Sequence, residues 1–380
     1  MSLVGILQQK IKQQDSRRQY HSLWQALHLD LFLLISIVLL LAYSLIILYS
    51  ASNGDQHVVE MQIMHFVFAF IVLFVFAQIS PTTYQRWSPW IYAVSVALLL
   101  VVLVVGHIGK GAQRWLNLGL LHLQPSEMLK LAIPMLLAWY FHRVYLPMSG
   151  RSLLIAVAII LVPTIITAKQ PDLSTAILLV IAGGSVLIFA GLSFRLVTIL
   201  AGLVMIFIPF LWPHLHEYQR LRVLTFLNPE RDPLGSGYHI IQSKIAIGSG
   251  GFFGKGWLNG TQSHLHFLPE HTTDFIFAVC GEELGLVGSL ILIALFMTVI
   301  LRGFYIAINA QDTFTRLLAG SISLTFFMSF FINMGMVTGV LPVAGLPLPL
   351  VSYGGTSLVT IMASFGILMS IQTHRKLLTS

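Results

Sequence analysis

Long apolar blocks, separated by short polar or Gly/Pro-rich breaks, run through most of this chain. One block extends from Leu31 to Leu48 and another from Val94 to Val105. A helix of about 18 to 20 apolar residues matches the ~30 Å hydrocarbon core of a bilayer. The pattern therefore predicts an all-α integral membrane protein with about ten transmembrane helices. The predicted spans lie near residues 30–50, 61–79, 89–107, 125–142, 152–169, 173–192, 195–212, 275–301, 316–338 and 355–372.

The positive-inside rule orients these spans. It places most Lys and Arg residues between spans on one face, which is predicted to be cytoplasmic together with both termini. The predicted organisation is a cytoplasmic arm over 1–29 without a cleavable signal, a polytopic membrane domain over 30–372 and a cytoplasmic tail over 373–380. The longest outer loop, 213–274, lies between the seventh and eighth spans, and its Gly, His and aromatic residues favour a structured cap.

Composition supports a membrane protein and argues against nucleic-acid binding. Hydrophobic residues make up 56% of the 380 residues and charged residues only 9%, whereas soluble domains carry about 25% charged residues. The net charge of +7 comes from basic residues scattered between apolar blocks, without the continuous stripe expected of a nucleic-acid-binding surface. The single cysteine, Cys280, excludes an intramolecular disulfide.

Acidic residues in or beside apolar segments are candidates for function, because charge is costly there. They are Glu127, Glu282 and Glu283. Lys130 follows Glu127 by three residues, so on a helix both groups share one face and are expected to pair. A structural ion pair and a substrate-binding pair are equally consistent with this spacing.

The outer loop before Glu127 contains a second group of candidates. Arg114 beside Trp115 suits an anionic, amphipathic ligand at the membrane surface, because guanidinium binds phosphate in a bidentate manner and indole prefers the interface. An interfacial anchor explains the same pair equally well. Ser126 is expected to cap a helix that begins beside Glu127.

The long outer loop adds cations, histidines and a carboxylate. Arg220 and Lys244 supply positive charge, while the Gly-rich run at 248–251 lacks the spacing of a nucleotide-binding loop and favours tight turns. A metal site is one interpretation of the cluster His264, His266, Glu270 and His271, although its spacing matches no closed zinc motif. Asp274 lies at the lip of the next apolar segment, where a carboxylate suits a general base; an ordinary helix N-terminal acid is the alternative.

Several motifs in sequence order resemble the SEDS family. They are Gly-x-x-Arg-Trp at 111–115, Gln-Pro-Ser-Glu at 124–127 with Lys130, Gln-Pro-Asp-Leu at 170–173, the run from Asn228-Pro229 to Gly237-Tyr238, and Ser-Tyr-Gly-Gly at 352–355. The segments 256–263 and 267–270 resemble the elongation members of the family more than the division members. Two departures are Thr272, where the family commonly has histidine, and Ser174, where it commonly has glycine.

The resemblance implies a peptidoglycan glycosyltransferase of the bacterial inner membrane. Such an enzyme polymerises lipid II into β-1,4-linked glycan during cell elongation and releases undecaprenyl diphosphate. It implies a catalytic role for Asp274 and substrate binding by Arg114, Trp115, Glu127 and Lys130, while Arg220 and Lys244 are further candidates for the diphosphate. The implied partners are a class B penicillin-binding transpeptidase, the elongation machinery and membrane lipids. A divalent cation, Mg²⁺ or Mn²⁺, is left open as a cofactor.

Two other functions fit the same number of spans. A lipid II flippase would also place an ion pair inside the membrane, but it requires polar groups along a path through the bilayer rather than at one face. A non-catalytic scaffold for the transpeptidase would tolerate replacement of Asp274. The concentration of candidate residues in the outer loops, which are periplasmic if the resemblance holds, favours the polymerase.

Overall fold

A computed structural model defines the fold of most of the chain. The described residues are 27–109, 112–117, 122–144, 148–193, 195–199, 202, 206, 213, 217–228, 236–265, 267–268 and 270–374. The predicted arm over 1–29 therefore lies almost entirely outside the described residues, as do most of the predicted span 195–212 and the last six residues of the predicted tail.

Twelve helices and one small sheet are described. The helices are α1 (Leu31–Ala51), α2 (Gln56–Gln78), α3 (Pro81–Val105), α4 (Pro125–Arg143), α5 (Gly150–Lys169), α6 (Leu173–Phe189), α7 (Glu217–Leu227), α8 (Ser236–Gly250), α9 (Thr261–His264), α10 (Ile276–Ile308), α11 (Thr313–Val337) and α12 (Thr356–Thr373). The strands are β1 (His107–Gly109), β2 (Ala112–Asn117) and β3 (His122–Leu123).

The all-α membrane architecture is confirmed. Within the described residues, seven helices are long and apolar enough to cross a bilayer: α1, α2, α3, α5, α10, α11 and α12. The predicted spans near 125–142 and 173–192 correspond to α4 and α6. The described part of the loop 213–274 contains α7, α8 and α9, so it is largely helical.

Helix α4 lies at the centre of the bundle. It packs against α3, α5, α6, α11 and α12, and most of its residues are buried. A helix surrounded by protein on all sides can carry charged groups that would be costly in lipid, provided they are paired. The interior position of α4 therefore explains how an otherwise apolar bundle accommodates Glu127 and Lys130.

Contacts at one end of the bundle agree with the predicted sidedness of the loops. Arg302 near the end of α10 binds Asp30, the residue before α1, with Nη2 and Oδ2 2.5 Å apart. At the same end, His28 stacks on His374 after α12, with ring centroids 3.8 Å apart. Gln78 Nε2 of α2 donates a hydrogen bond to the carbonyl of residue 27. The helix ends predicted to be cytoplasmic therefore lie together.

The small antiparallel sheet was not predicted. Its order is β1-β2-β3, and His107 of β1 pairs with Trp115 of β2. These strands are short, and apolar and polar residues do not alternate clearly along them, which explains why the sequence pattern did not reveal them. The sheet places the backbone of Arg114 and Trp115 directly before α4, on the side of the bundle where α4 begins.

Helix α10 is broken near its beginning. Gly285 has a φ of +64° and a ψ of −157°, which interrupts the helix. The loop after α8 supplies the missing hydrogen bonds: carbonyls of residues 251 and 252 accept from the N–H groups of residues 286 and 287, while Lys255 N and Gly256 N donate to the carbonyls of residues 282 and 283. Irregular backbone of this kind persists in a membrane protein because neighbouring groups satisfy it.

Glu282 and Glu283 hold the same loop in place. Glu282 binds Lys255 Nζ at 2.7 Å and accepts hydrogen bonds from the N–H groups of Thr261 and Gln262. Glu283 accepts from the hydroxyl of Ser50 in α1. Both acids are buried, and their contacts anchor the loop to the broken helix.

Candidate active site

The backbone that carries Asp274 is fixed by three consecutive hydrogen bonds. The carbonyls of residues 272, 273 and 274 accept, in that order, from Tyr353 N at 2.9 Å, from the hydroxyl of Ser352, and from Asn333 Nδ2 at 2.9 Å. Helix α10 has Phe275 as its N-cap, and no side-chain capping bond is made there. Asp274 is therefore the residue directly before the N-cap of α10, so the alternative of a helix N-terminal acid stays open.

The carboxylate of Asp274 faces a small gap beside Arg222. Its Oδ2 atom lies 3.6 Å from the point where a Cβ on Gly345 would stand, and Arg222 Nη2 lies 3.6 Å from the same point. Arg222 also donates from Nη1 to the carbonyl of Ala344 at 3.1 Å. The carboxylate and the guanidinium therefore both lie beside the same glycine.

His239 of α8 forms another side of this region. Its ring stacks on that of Phe275, with centroids 5.7 Å apart and planes 18° from parallel. Burial lowers the pKa of His239, and Arg222 lowers it further, while Glu270 acts in the opposite direction. Burial therefore disfavours the charged form of the His239 imidazole.

Glu127 and Lys130 form the predicted ion pair. Lys130 Nζ lies 2.6 Å from Glu127 Oε2, and the two side chains are 14% and 10% exposed. The pair lines a cavity of about 70 Å³ together with hydroxyl-bearing residues of α11 and α12. One of these, Thr325, has a buried Oγ1 atom without a protein hydrogen-bond partner among the described residues. The cavity therefore offers both charge and hydrogen-bonding atoms to a ligand.

The segment between α11 and α12 is a wall shared by the two regions. Leu346, Pro347 and Pro349 line the cavity of the ion pair. The carbonyl of Ala344 accepts from Arg222 and from the hydroxyl of Ser174, and Gly345 stands beside Asp274. This irregular, proline-rich connection therefore lines the cavity of the ion pair and also lies beside Asp274.

The two Gln-Pro motifs meet at the start of α4 and α6. Gln124 Nε2 lies 3.1 Å from Ser126 Oγ and 3.4 Å from Asp172 Oδ2. Asp172 caps α6 through hydrogen bonds from the N–H and hydroxyl of Thr175. The prediction that Ser126 caps α4 is wrong, because Pro125 occupies the first helical position and Gln124 is the N-cap.

The remaining predicted residues lie in β2, α7 and α8. Trp115 is half-buried in β2, while the side chain of Arg114 lies outside the described atoms. Arg220 donates to the carbonyl of Pro213. Lys244 is exposed, and its terminal carbon lies 2.2 Å from where a Cβ on Gly339 would stand. The structure therefore places Lys244 near the end of α11.

Two residues of the site were not among the predicted ones. Arg222 shares the Tyr-Gln-Arg-Leu-Arg run with Arg220, and the sequence gives no reason to choose between the two arginines. Asn333 lies in the apolar helix α11, where a single buried amide is a usable signal because an unpaired polar group is costly there.

The described residues do not form a metal centre. No group of three or more His, Cys, Asp or Glu residues comes together within the described part of the chain. His266 lies outside the described residues, so the predicted cluster of 264–271 is only partly represented. His271 Nδ1 lies 2.9 Å from the carbonyl of Leu268. This contact of His271 stabilises the turn before α10.

Comparison with known proteins relates this site to a family. The family model of the FtsW, RodA and SpoVE cell cycle proteins matches residues 24–377. The peptidoglycan glycosyltransferase MrdB of Escherichia coli K12 is 52% identical over 357 residues, which cover 94% of this chain and 96% of MrdB. The probable peptidoglycan glycosyltransferase FtsW of Trichlorobacter lovleyi is 38% identical and covers 92% of this chain and 94% of its own length.

Solved structures show the same fold. A chain from a study of how a peptidoglycan synthase complex coordinates polymerization and crosslinking superposes with a TM-score of 0.80 at 30% identity, covering 90% of this chain and 97% of that chain. The rod shape determining protein RodA of Thermus thermophilus superposes with a TM-score of 0.70 at 26% identity, covering 91% of this chain and 98% of RodA.

Proposed function

Because the chain belongs to the SEDS family, the FtsW, RodA and SpoVE group, we propose that its site uses Asp274 as the general base of peptidoglycan polymerisation. The chain is a peptidoglycan glycosyltransferase, the activity named for a relative that is 52% identical. Its substrate is lipid II, which it joins into glycan strands during cell elongation. The observation that carries the assignment to Asp274 is its fixed backbone beside Arg222 and Gly345.

The proposed reaction is a direct displacement. Asp274 accepts the proton of the 4-hydroxyl on the N-acetylglucosamine of an acceptor lipid II, and that oxygen attacks the anomeric carbon of the donor glycan. The bond from that carbon to the diphosphate breaks, the α-linked donor inverts to a β-1,4 linkage, and undecaprenyl diphosphate leaves with the bonding electrons. Fixing the base and both sugars in one site lowers the barrier by orienting the reacting atoms.

The leaving diphosphate requires positive charge. Arg114, Lys130, Arg220 and Lys244 are the proposed sources, and the position of Arg222 adds it to this group. Lys130 is also paired with Glu127 at 2.6 Å, and its ammonium group has further N–H donors for a phosphate oxygen. A divalent ion, Mg²⁺ or Mn²⁺, is proposed only as a companion of the substrate diphosphate; EDTA followed by re-addition of each ion tests this dependence.

The proposed setting is the periplasmic face of the inner membrane. Lipid II keeps a polyprenyl tail in the bilayer, and the site lies at the end of the bundle opposite Asp30, Arg302 and His374. With both termini cytoplasmic, as the positive-inside rule predicts, this end faces the periplasm. A class B penicillin-binding transpeptidase is the proposed partner, which agrees with the similarity to a chain of a peptidoglycan synthase complex.

The test of the function is glycan formation by the purified wild-type protein. The detergent-solubilised chain, together with its transpeptidase, is incubated with fluorescent lipid II, and the products are separated by length. Long glycan that lysozyme degrades is the expected product. If no glycan forms but lipid II crosses the membrane of vesicles that contain the protein, the protein is a flippase. If the protein neither forms glycan in detergent nor moves lipid II across vesicle membranes, a scaffold role replaces the polymerase.

A further inference from the structure

Asn333 of α11 is a buried amide that holds two segments of the site. Its side chain is completely buried. Nδ2 donates one hydrogen bond to the carbonyl of Asp274 at 2.9 Å and another to the carbonyl of Leu346 at 2.7 Å. Because both partners are carbonyl oxygens, the atom between them must be the amide nitrogen, which has two hydrogens to donate.

The two carbonyls belong to the two halves of the site. Asp274 carries the proposed base, and Leu346 lines the cavity of the Glu127–Lys130 pair. Neither carbonyl lies within a helix, so each requires a donor from elsewhere in the protein if it is to be buried. A single side chain on α11 therefore fixes the distance between the base and the cavity wall.

Ser352 forms a second bridge between the same two segments. Its hydroxyl donates to the carbonyl of Thr273 and accepts from the N–H of Leu348 at 2.7 Å. The Thr273–Asp274 and Leu346–Leu348 segments are thus joined twice, once by an amide and once by a hydroxyl. Two bridges at neighbouring residues resist both separation and rotation of one segment relative to the other.

We propose that Asn333 is a positioning residue for glycosyl transfer, acting through the backbone of Asp274 and the cavity wall. The inference rests on the proposed role of Asp274 as the base. Loss of the amide releases the carbonyl of Asp274, so the carboxylate no longer points consistently at the acceptor hydroxyl. Misplacement of a reacting group by about 1 Å reduces turnover on the order of 100-fold, while substrate contacts elsewhere in the site are retained.

Ser321 provides a matched control on the same helix. It is completely buried like Asn333, and its hydroxyl donates to the carbonyl of Ala182 at 2.8 Å and accepts from Ser185 at 2.6 Å. These contacts join α11 to α6 and involve neither Asp274 nor the cavity wall. Ser321→Ala therefore removes a buried polar group of α11 without disturbing the two bridged segments.

The experiment compares steady-state polymerisation of fluorescent lipid II by wild type, Asn333→Ala, Ser352→Ala, Ser321→Ala and Asp274→Asn, with the thermal unfolding temperature measured for each. We expect Asn333→Ala to lower kcat about 100-fold with less than about a threefold change in KM. Ser352→Ala should lower kcat in the same way but by about tenfold. Ser321→Ala should lower the unfolding temperature while keeping kcat within about threefold of wild type.

The outcomes separate the inference from the proposed function. A folded Asn333→Ala that matches Ser321→Ala in both kcat and KM overturns the positioning role; if Asn333→Ala does not fold, wild-type kcat in Ser352→Ala overturns it. Full polymerisation by Asp274→Asn would instead remove the proposed base. Activity that is lost in Asp274→Asn but intact in Asn333→Ala would contradict this inference alone.

Discussion

The Glu127–Lys130 pair shows how the bundle carries charge at its centre. Each side chain is largely buried, and the charged atoms lie 2.6 Å apart. Burial of either charge alone would be far more costly than burial of the pair, because the partner's field compensates much of the lost hydration. Each charge therefore requires its partner, whatever the pair does for substrate.

A double-substitution cycle separates stability from function at this pair. Glu127→Gln or Lys130→Met alone should destabilise the fold by about 3 to 5 kcal/mol, because one buried charge loses its partner. The double variant should recover most of the thermal unfolding temperature. If the pair also binds the diphosphate, glycan formation stays low in the double variant; recovery of both stability and activity would restrict the pair to a structural role.

Local spacing allowed the ion pair to be predicted, whereas the surroundings of Asp274 could not be. Glu127 and Lys130 are neighbours on one helix turn, so their contact follows from helical geometry. Arg222, Asn333 and Gly345 meet Asp274 only because distant segments fold together. Sequence motifs pointed to Asp274 itself, but its partners required the tertiary structure.

At the scale of elements, the junction of α8 and α10 depends on glycine. Helix α8 ends at Gly250, which is packed against the backbone of α10 just before the break at Gly285. A Cβ on Gly250 would stand 2.0 Å from the carbonyl oxygen of Gly281. Only a residue without a side chain permits this approach, and the loop that satisfies the broken helix begins directly afterwards.

Gly250→Ala should therefore destabilise the protein, whereas Gly248→Ala should not. At Gly248 an added Cβ meets no atom within 4 Å, so alanine should gain up to about 1 kcal/mol of helix stability. The overpacked Gly250→Ala should lose about 1 to 3 kcal/mol. Thermal unfolding of both variants in the same detergent checks this, and equal unfolding temperatures would contradict the proposed packing.

The apolar pattern predicted the membrane helices well because each of them needs a continuous apolar stretch long enough to cross the bilayer. It did not predict the β1-β2-β3 sheet or the break in α10. Both depend on hydrogen bonds between separate segments, such as those from Lys255 and Gly256 to the carbonyls of residues 282 and 283. Glu282 and Glu283 were candidates in the sequence because burying a charge costs free energy, but only the tertiary structure shows that they anchor a loop.

At the scale of the whole molecule, the candidate groups lie at one end of the bundle. Asp274, Arg222 and the first turn of α4 are at the end where α4, α6, α10 and α12 begin. The opposite end is held by Asp30 and Arg302. A polymerase whose substrates keep their tails in the membrane needs this one-sided arrangement, whereas a flippase needs polar groups along the whole path.

Chemical labelling tests which side of the membrane this end faces. Thr273→Cys, in a background with Cys280→Ser, places a half-exposed thiol next to Asp274; Cys280 itself is buried. We expect an impermeant maleimide to label the new cysteine in intact spheroplasts. Labelling that requires lysis would place the site on the cytoplasmic side and contradict the proposed topology.

The most direct test of the central claim is the rate of glycan formation from lipid II by Asp274→Asn, with Asp312→Asn as the control. Asp312 caps α11 by accepting from Thr315 N at 2.8 Å, and asparagine caps a helix about as well as aspartate. We expect Asp274→Asn to lose about 10² to 10⁴ in rate, the range of general-base catalysis, while remaining folded and bound to its transpeptidase. Asp312→Asn should keep the wild-type rate. A near wild-type rate in Asp274→Asn would show that another group accepts the proton.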